Sequence, residues 1–325
     1  MSNIILGVDI SKATFDVALL NDNKVKTKKF TNTSKGFSEL KQWLKNKEID
    51  TAHVCMEATG GYEAKLAEYL YDNNFKVSVI NPARIKGFSM SKLSRVKTDK
   101  ADSELIARFC QAMKPDLWQP TPLHIQELQQ WVRRLDSLIA NKNQENNRLD
   151  GASKAVTINI STHIKFLNKQ IKEVEKLISN HIKRHKGLND KSKLLDSIPG
   201  IGEKTIGVIL AFLSVESFDS AKQVAAFIGL NPKARQSGSS VRGVGRISKT
   251  GDADLRKAFY MQAVVSIRFN PIIKNFAERL SDAGKPKMIV VIAAMRKLLH
   301  IIYGVLKNKT PFNANIKTIS IDDFR

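Results

Sequence analysis

The first third of the chain alternates short apolar runs with amphipathic segments. Three β-rich runs come first, at Ile4–Asp9, Phe15–Leu20 and Lys24–Thr31, with a Ser-Lys turn after the first. Beyond them the spacing predicts helices over Gly36–Lys47, Tyr62–Asn73 and Asp99–Met113, and strands over Thr51–Glu57 and Lys76–Ile80. Three adjacent strands followed by alternating strands and helices predict an α/β domain with a mixed sheet covered by helices.

The middle of the chain predicts a helical hairpin. Apolar residues recur at steps of three and four from Ile125 to Ile139, and again from Ile164 to Ile178. The stretch from Asn141 to Asn159, rich in Asn, Ser and Lys, separates the two runs and is expected to form the tip. Heptad-like seams with charged flanks are typical of an antiparallel coiled-coil pair, which serves as a spacer or an oligomerisation arm.

The last third predicts a mainly α-helical domain in which Gly-rich or basic turns separate apolar segments. Ser197-Ile-Pro-Gly-Ile-Gly202 has the pattern of a helix-hairpin-helix. In such a motif Gly200 and Gly202 would let backbone N–H groups approach a phosphate at a helix N-terminus. An ordinary turn between two helices is the alternative. Together the patterns predict three domains, over 1–118, 119–190 and 191–325.

Composition narrows the class of protein. The 325 residues include 53 Lys and Arg against 31 Asp and Glu, a net charge of +22. Such an excess favours a nucleic-acid partner, because Lys and Arg displace the counterions condensed on phosphates; a merely basic soluble protein is the alternative. Two cysteines cannot form a disulfide scaffold, and the N-terminus has no signal-peptide pattern. The apolar run from Met288 to Met295 is too short to span a bilayer, so we expect a cytoplasmic protein without a membrane partner.

Four carboxylates stand at positions that suit metal chemistry. Asp9 and Glu57 end two apolar strands, and Asp99 and Asp102 project from one face at a helix start. Together they could hold two Mg²⁺ ions, which prefer hard oxygen ligands and in pairs stabilise the attacking and leaving oxygens of phosphoryl transfer. Taken singly, the residues have plainer explanations: Asp99 as a charge at a helix N-terminus, Asp102 as a surface residue and Glu57 as the partner of a lysine.

A basic segment follows in the C-terminal region. From Lys233 to Lys257 there are seven basic and two acidic residues, interleaved with Gly and Ser. Arg235, Arg242, Arg246 and Lys249 could hold phosphates, since arginine forks onto phosphate oxygens and glycine allows close backbone approach. A flexible, solvated loop is the alternative.

These motifs resemble those of a known family. Gly7-Val-Asp9-Ile-Ser-Lys12, Glu57-Ala-Thr-Gly-Gly61 and Lys97-Thr-Asp99-Lys-Ala-Asp102 are similar to the DEDD motifs of insertion-sequence-110 transposases and Piv-type invertases. Gly229-Leu-Asn-Pro232, Ser237-Gly238 and Arg246-Ile-Ser-Lys249 are similar to their C-terminal domain. The resemblance implies a RuvC-like, RNase H-like domain with a Mg²⁺ site at Asp9, Glu57, Asp99 and Asp102. It further implies a nucleophilic serine that completes a composite centre; Ser237 fits best, with Ser239 and Ser240 as alternatives.

The resemblance also implies partners. A DNA recombinase of a mobile element would join donor and target DNA, guided by a structured RNA from the element. The helical hairpin and the need to join two DNAs favour a dimer or tetramer. Two rivals remain, a junction-resolving nuclease without serine chemistry and an architectural nucleic-acid-binding protein. Other candidate residues are expected to have structural roles. His181 and His185 lie among basic residues that would repel a metal ion, and Tyr260 lacks the Arg and His residues that accompany a tyrosine-recombinase nucleophile. Trp118 and Trp131 are expected to be packing residues of the linker and the hairpin.

Overall fold

The chain folds into two compact units, Met1–Thr121 and Pro122–Arg325. The structure, a computed structural model, describes residues 4–22, 24–91, 99–233, 236–237, 241–242 and 246–314. For residues 99, 233, 236–237, 241–242 and 246 this description covers the backbone alone.

The first unit is built on a five-stranded mixed sheet. Its strands are β1 (Ile5–Ile10), β2 (Thr14–Asn21), β3 (Lys24–Thr31), β4 (His53–Glu57) and β5 (Lys76–Ile80). They lie in the order β3-β2-β1-β4-β5, with β1, β2 and β3 antiparallel and β4 and β5 parallel to β1. The mixed sheet predicted from the alternation of runs is therefore confirmed.

Helices cover both faces of this sheet. On one face, α1 (Ser34–Lys45) and α2 (Ala64–Asp72) bury an apolar cluster around Leu6, Val8 and Val54. On the other, α3 (Pro82–Ser91) and α4 (Asp99–Met113) bury a second cluster that includes Ile5, Cys55 and Ile106. Because side chains alternate between the two faces of a strand, odd-numbered residues of β1 and β4 face α4.

Most of these elements begin and end within two residues of their predicted positions. The exception is α3, for which the sequence gives no clear periodicity because Ile85 is its single buried residue. Its ten residues are instead anchored at the start, where the Asn81 side chain accepts a hydrogen bond from the Ala83 N–H at 2.8 Å.

The two cysteines meet in the core of the first unit. Cys55 on β4 and Cys110 on α4 form a disulfide, with their Cα atoms 6.0 Å apart and both side chains buried. Two cysteines 55 residues apart carry no signal of this contact in the sequence. The bond ties the strand that ends in Glu57 to the helix that begins at Asp99.

The second unit begins with two long helices, α5 (Leu123–Arg148) and α6 (Lys154–Arg184), which pack along their apolar seams. The expected break from Asn141 to Asn159 is wrong, because a turn of only residues 149–153 separates the helices. Polar pairing continues the seam where the apolar residues stop. Glu145, 9% exposed, accepts from Arg148 at 2.7 Å and lies 3.4 Å from His163 of α6.

Among its described residues, the second unit continues with six shorter α-helices. They are α7 (Lys186–Asp196), α8 (Glu203–Phe212), α9 (Ala221–Ile228), α10 (Ala253–Phe269), α11 (Pro271–Asp282) and α12 (Lys287–Asn308). Helix α12 has 22 residues and extends well beyond the apolar run from Met288 to Met295, so by length and composition it could cross a membrane. Its buried face packs against α7, α9, α10 and α11, so the core of the unit accounts for its apolar character.

The described residues between α9 and α10 include four two-residue strands. Strand β6 (Pro232–Lys233) pairs with β9 (Arg246–Ile247), and β7 (Gln236–Ser237) pairs with β8 (Val241–Arg242), both antiparallel.

Replacing Gly7 by alanine is expected to destabilise the first unit. A Cβ at Gly7 would overlap the Ser103 carbonyl and the Ala107 N of α4, both backbone atoms that cannot move aside. The free energy of unfolding should fall by about 3 kcal/mol, the upper part of the usual range for overpacking. Thermal or urea denaturation of the full chain measures the change.

Gly87→Ala is the matched control, because a Cβ on this α3 glycine meets nothing within 4 Å. Alanine should stabilise that helix by up to about 1 kcal/mol. Equal stability of the two variants would contradict the close contact of α4 with β1.

Candidate active site

Asp9 and Glu57 lie on the same face and at the same end of the sheet. In the parallel pair of β1 and β4, Val8 stands beside Met56, and Asp9 and Glu57 each follow by one residue. Both side chains are half-buried and face the side on which α4 packs. The structure therefore brings the two predicted strand carboxylates together at one sheet edge.

Helix α4 supplies the other predicted carboxylates. Its backbone lies against Gly7, two residues before Asp9, through Ser103 and Ala107. Asp102 directly precedes the buried Ser103 and is itself half-buried, whereas for Asp99 the backbone alone is described, at the first position of the helix. The start of α4 thus lies over the strand that carries Asp9.

Two side chains organise the loops that follow Asp9 and Glu57. The Asn32 amide Nδ2 donates to the Ser11 carbonyl at 3.0 Å and to the Tyr62 carbonyl at 3.2 Å. The Glu63 carboxylate accepts from the N–H groups of Thr59 at 3.0 Å and Gly61 at 3.1 Å. One amide therefore joins the loop after β1 to the loop after β4, and neither residue was a sequence candidate.

A fifth carboxylate, Asp16, was also missed. It stands opposite Asp9 in the antiparallel register of β1 and β2 and is only 7% exposed. Lys29 of β3, in register with Asp16, forms an ion pair with it at 3.3 Å. The alternation of β1 and β2 around a short turn was the available signal, because it places residues 9 and 16 on one face.

These carboxylates have the donor chemistry of a divalent metal site, since carboxylate oxygens suit hard cations such as Mg²⁺. Among the described residues the compact three-ligand group is His53, Cys55 and Cys110, and its two cysteines are joined to each other.

The predicted serine lies in the short strands of the second unit. The backbone of Ser237 pairs with that of Val241, and the backbone of Gln236 with that of Arg242. These pairs form a two-residue antiparallel ladder within the basic segment. The backbone of Arg246 is paired with Lys233, and Lys249 is exposed with a φ of +54°. Arg235, Ser239 and Ser240 lie outside the described residues.

The base of this segment is held by a compact frame. Gly229 ends α9 with a φ of +78°, and a Cβ on Gly251 would overlap the Phe227 carbonyl, so both ends need glycine. The Arg256 guanidinium donates to the carbonyls of Ile228 at 2.8 Å and Gly251 at 3.2 Å. Arg256 therefore ties the two ends of the segment together, a role that its sequence position did not reveal.

The two glycines between α7 and α8 differ in their surroundings. Gly200 has a φ of +94°, and a Cβ there would meet Ser266 of α10, so packing accounts for this glycine. Gly202 is exposed, caps the N-terminus of α8, and has open space where a Cβ would stand.

The histidines near the base of the hairpin are held by carbonyls. His181 is 7% exposed and donates from Nε2 to the His124 carbonyl at 2.8 Å, while His185 donates from Nδ1 to the His181 carbonyl at 2.8 Å. Burial and the neighbouring His185 and His181 lower the pKa of His124 below its usual range. Trp118 and Trp131 pack against the apolar clusters of their units, as expected.

Comparison with protein families covers both halves of this arrangement. A family model described as "Transposase" (DEDD_Tnp_IS110) matches residues 6–156, which include Asp9, Glu57, Asp99 and Asp102. A second, "Transposase IS116/IS110/IS902 family", matches residues 192–278, which include Ser237. The "Pilin gene-inverting protein" of Moraxella lacunata is 35% identical over 320 residues, which is 97% of this chain and 99% of the relative.

The chain belongs to the IS110 family of transposases. As an IS110-family protein it is a DNA recombinase, and the resemblance read from its motifs is confirmed.

Further relatives agree with this membership. The protein of the same name from Moraxella bovis is equally similar, at 35% identity and the same coverage. The "Transposase for insertion sequence element IS1111A" of Coxiella burnetii is 23% identical over 85% of this chain and 80% of its own length.

Among solved structures, T. thermophilus RuvC in complex with a Holliday junction substrate gives a TM-score of 0.27 at 10% identity, covering 34% of this chain and 95% of RuvC.

Loss of the Asn32 amide is expected to weaken metal binding by this IS110 transposase. Asn32→Ala removes the link between the loops that follow Asp9 and Glu57, and outer-shell changes of this kind typically cost about tenfold or more in metal affinity. Titration calorimetry of the full chain with Mn²⁺ measures the affinity, and thermal unfolding measures stability.

Asn73→Ala is the matched control. It also removes two side-chain hydrogen bonds, to Lys41 at 2.6 Å and to the Tyr69 carbonyl at 2.7 Å, but away from the carboxylates. Both variants should lose about 1 kcal/mol of stability or somewhat more, and only Asn32→Ala should lose metal affinity. Equal metal affinities would show that the Asn32 link does not position the carboxylates.

Proposed function

We propose that this protein is the recombinase of a mobile element, which cuts and transfers DNA strands through a covalent phosphoserine link formed with the help of Mg²⁺. The observation that carries the proposal is the full-length similarity to a gene-inverting protein, with both sets of predicted motifs in the same order along one chain. In this proposal the first unit is an RNase H-like, RuvC-like domain with the metal ligands, and the second supplies the nucleophile.

The placement of the carboxylates in the first unit supports the proposal. Asp9 and Glu57 share a sheet edge, and α4 brings Asp102 to the same face, with Asp99 at the first position of that helix. Mg²⁺ bound there would stabilise the negative charge that builds on the attacking and leaving oxygens. Asn32 and Glu63 keep the adjoining loops in place through four hydrogen bonds.

Ser237 is the proposed nucleophile. Its hydroxyl oxygen would attack the scissile phosphorus, its proton would pass to solvent or a carboxylate, and the departing sugar hydroxyl would take a proton in turn. A serine hydroxyl is a weak nucleophile unless a base or metal activates it, so the proposal requires Ser237 to meet the carboxylate centre in a composite site. Arg235, Arg242, Arg246 and Lys249 would hold the flanking phosphates.

Other parts of the second unit would contact the nucleic acids and the other copies of the chain. The open N-terminus of α8 at Gly202, with Gly200 supporting the turn, suits a helix-hairpin-helix contact to a phosphate. A structured RNA encoded by the element would pair with donor and target DNA. Two or four copies of the chain would bring the DNA ends together, in the cytoplasm, with the α5–α6 pair as a coiled-coil arm.

Substitution of the proposed nucleophile tests this function directly. The protein is incubated with Mg²⁺, labelled element-end DNA and the transcript that flanks the element, and covalent protein–DNA adducts are trapped by denaturation. We expect adducts with the wild type and none with Ser237→Ala, because no other hydroxyl would take over the attack. Ser239→Ala and Ser240→Ala are the matched controls and should keep the adduct. Asp9→Asn should abolish cleavage and adduct together.

Other outcomes would support the rivals. Cleavage that persists in Ser237→Ala without any adduct would indicate a junction-resolving nuclease. Adducts that vanish in Ser239→Ala instead would move the nucleophile to that residue. An absence of Mg²⁺-dependent strand breakage in the wild type would favour an architectural protein.

A further inference from the structure

Helix α6 carries a row of exposed lysines on the side that faces away from the hairpin seam. They are Lys154, Lys165, Lys169, Lys172, Lys176 and Lys183, together called the lysine stripe below. At about 100° per residue, all six lie within about 60° of the helix circumference. The buried residues Leu167, Val174 and Ile178 lie on the opposite side, against α5 and the core. With a rise of 1.5 Å per residue, the stripe is about 44 Å long.

Charge on this face is of one sign. The two acids of α6, Glu173 and Glu175, lie about 70° and 90° from the centre of the stripe, on opposite sides, and Glu173 accepts a hydrogen bond from Gln170 at 2.7 Å. Within the described part of the chain, none of the six lysines forms an ion pair. On α5, by contrast, Asp136 pairs with Lys204 and Glu145 with Arg148.

Such a row is unfavourable for an isolated helix. Lys165 and Lys169, Lys169 and Lys172, and Lys172 and Lys176 are neighbours at three or four residues, and like charges at these spacings repel. A helix face that only contacts water would be equally soluble with a mixture of acidic and basic residues. A surface that meets a polyanion gains from one sign, because each lysine in contact with a phosphate releases condensed counterions.

We propose that the lysine stripe is a binding surface for duplex DNA that flanks the cleavage site. A straight face of about 44 Å spans about 13 base pairs of B-DNA at 3.4 Å each, and lysine contacts phosphates without reading bases. Double-stranded DNA is favoured over RNA because sequence-specific RNA recognition relies on stacking side chains and splayed bases, and the stripe offers point charges alone. The proposal takes DNA as the substrate from the proposed function but does not depend on Ser237 or on a metal.

The experiment is equilibrium binding without catalysis. A labelled 30-base-pair DNA without element sequence is titrated with full-length protein in EDTA, at salt concentrations from 50 to 200 mM. The variant K165Q/K169Q/K172Q/K176Q should bind at least about tenfold more weakly at low salt. The slope of log K against log salt should fall by about 3 to 4, since each phosphate contact in duplex DNA contributes about 0.9. Thermal unfolding confirms that each variant folds, and K169Q/K172Q, with an expected loss of about 2 in slope, replaces the quadruple variant if needed.

Two matched variants separate a specific surface from general charge. The same four positions changed to arginine should keep the wild-type slope. K35Q/K41Q/K45Q/K47Q removes the same charge from the α1 region of the first unit and should change the slope far less. An equal loss in this control, or an unchanged slope in the stripe variant, would overturn the proposal. A loss confined to an RNA duplex of the same length would assign the stripe to RNA instead. Because EDTA prevents cleavage, these results are independent of the adduct experiment.

Discussion

The contact between α4 and strand β1 at Gly7 determines where the proposed catalytic carboxylates lie. Because Gly7 has no side chain, the backbone of Ser103 and Ala107 can rest directly on the strand. Asp9 is two residues further along that strand, and Asp102 directly precedes Ser103. Any side chain at Gly7 would push the helix, and with it Asp102, away from Asp9. The Cys55–Cys110 disulfide fixes the same helix to β4 further along its length.

Repulsion between neighbouring carboxylates at this site is reduced by an ion pair. Asp9 and Asp16 stand opposite each other on one face, so their charges would repel, and Asp16 is almost fully buried. An unpaired buried carboxylate is costly, and the ion pair with Lys29 compensates Asp16 locally. Asp9, Glu57 and the start of α4 lie at the same edge, and carboxylate oxygens suit a divalent cation. In a chain with a net charge of +22, these acids stand out as a local exception.

Sequence alone predicts the elements with strong periodicity. The bounds of β3, β5 and α4 match their predictions to the residue because alternating or 3.6-residue patterns end at clear turns. The hairpin tip was misplaced because Glu145 continues the seam through charged pairs, which a hydrophobic pattern cannot register. The roles of Asn32 and Arg256 could not be identified from sequence, since their partners are carbonyls brought near by folding, whereas the strand alternation could have indicated Asp16. Asn32 and Tyr62, for example, are thirty residues apart. The serine assignment rests on the family resemblance and remains a prediction.

The segments near the proposed site residues are held differently in the two units. In the first, hydrogen bonds from the Asn32 amide and to the Glu63 carboxylate hold the loops that follow Asp9 and Glu57. In the second, Gly229, Gly251 and Arg256 hold only the base of the segment that contains Ser237, and the segment itself is paired by ladders of two residues. In the proposed reaction Ser237 first attacks and later releases a DNA strand, so it needs freedom to approach the phosphate and to withdraw, whereas the proposed metal ligands do not.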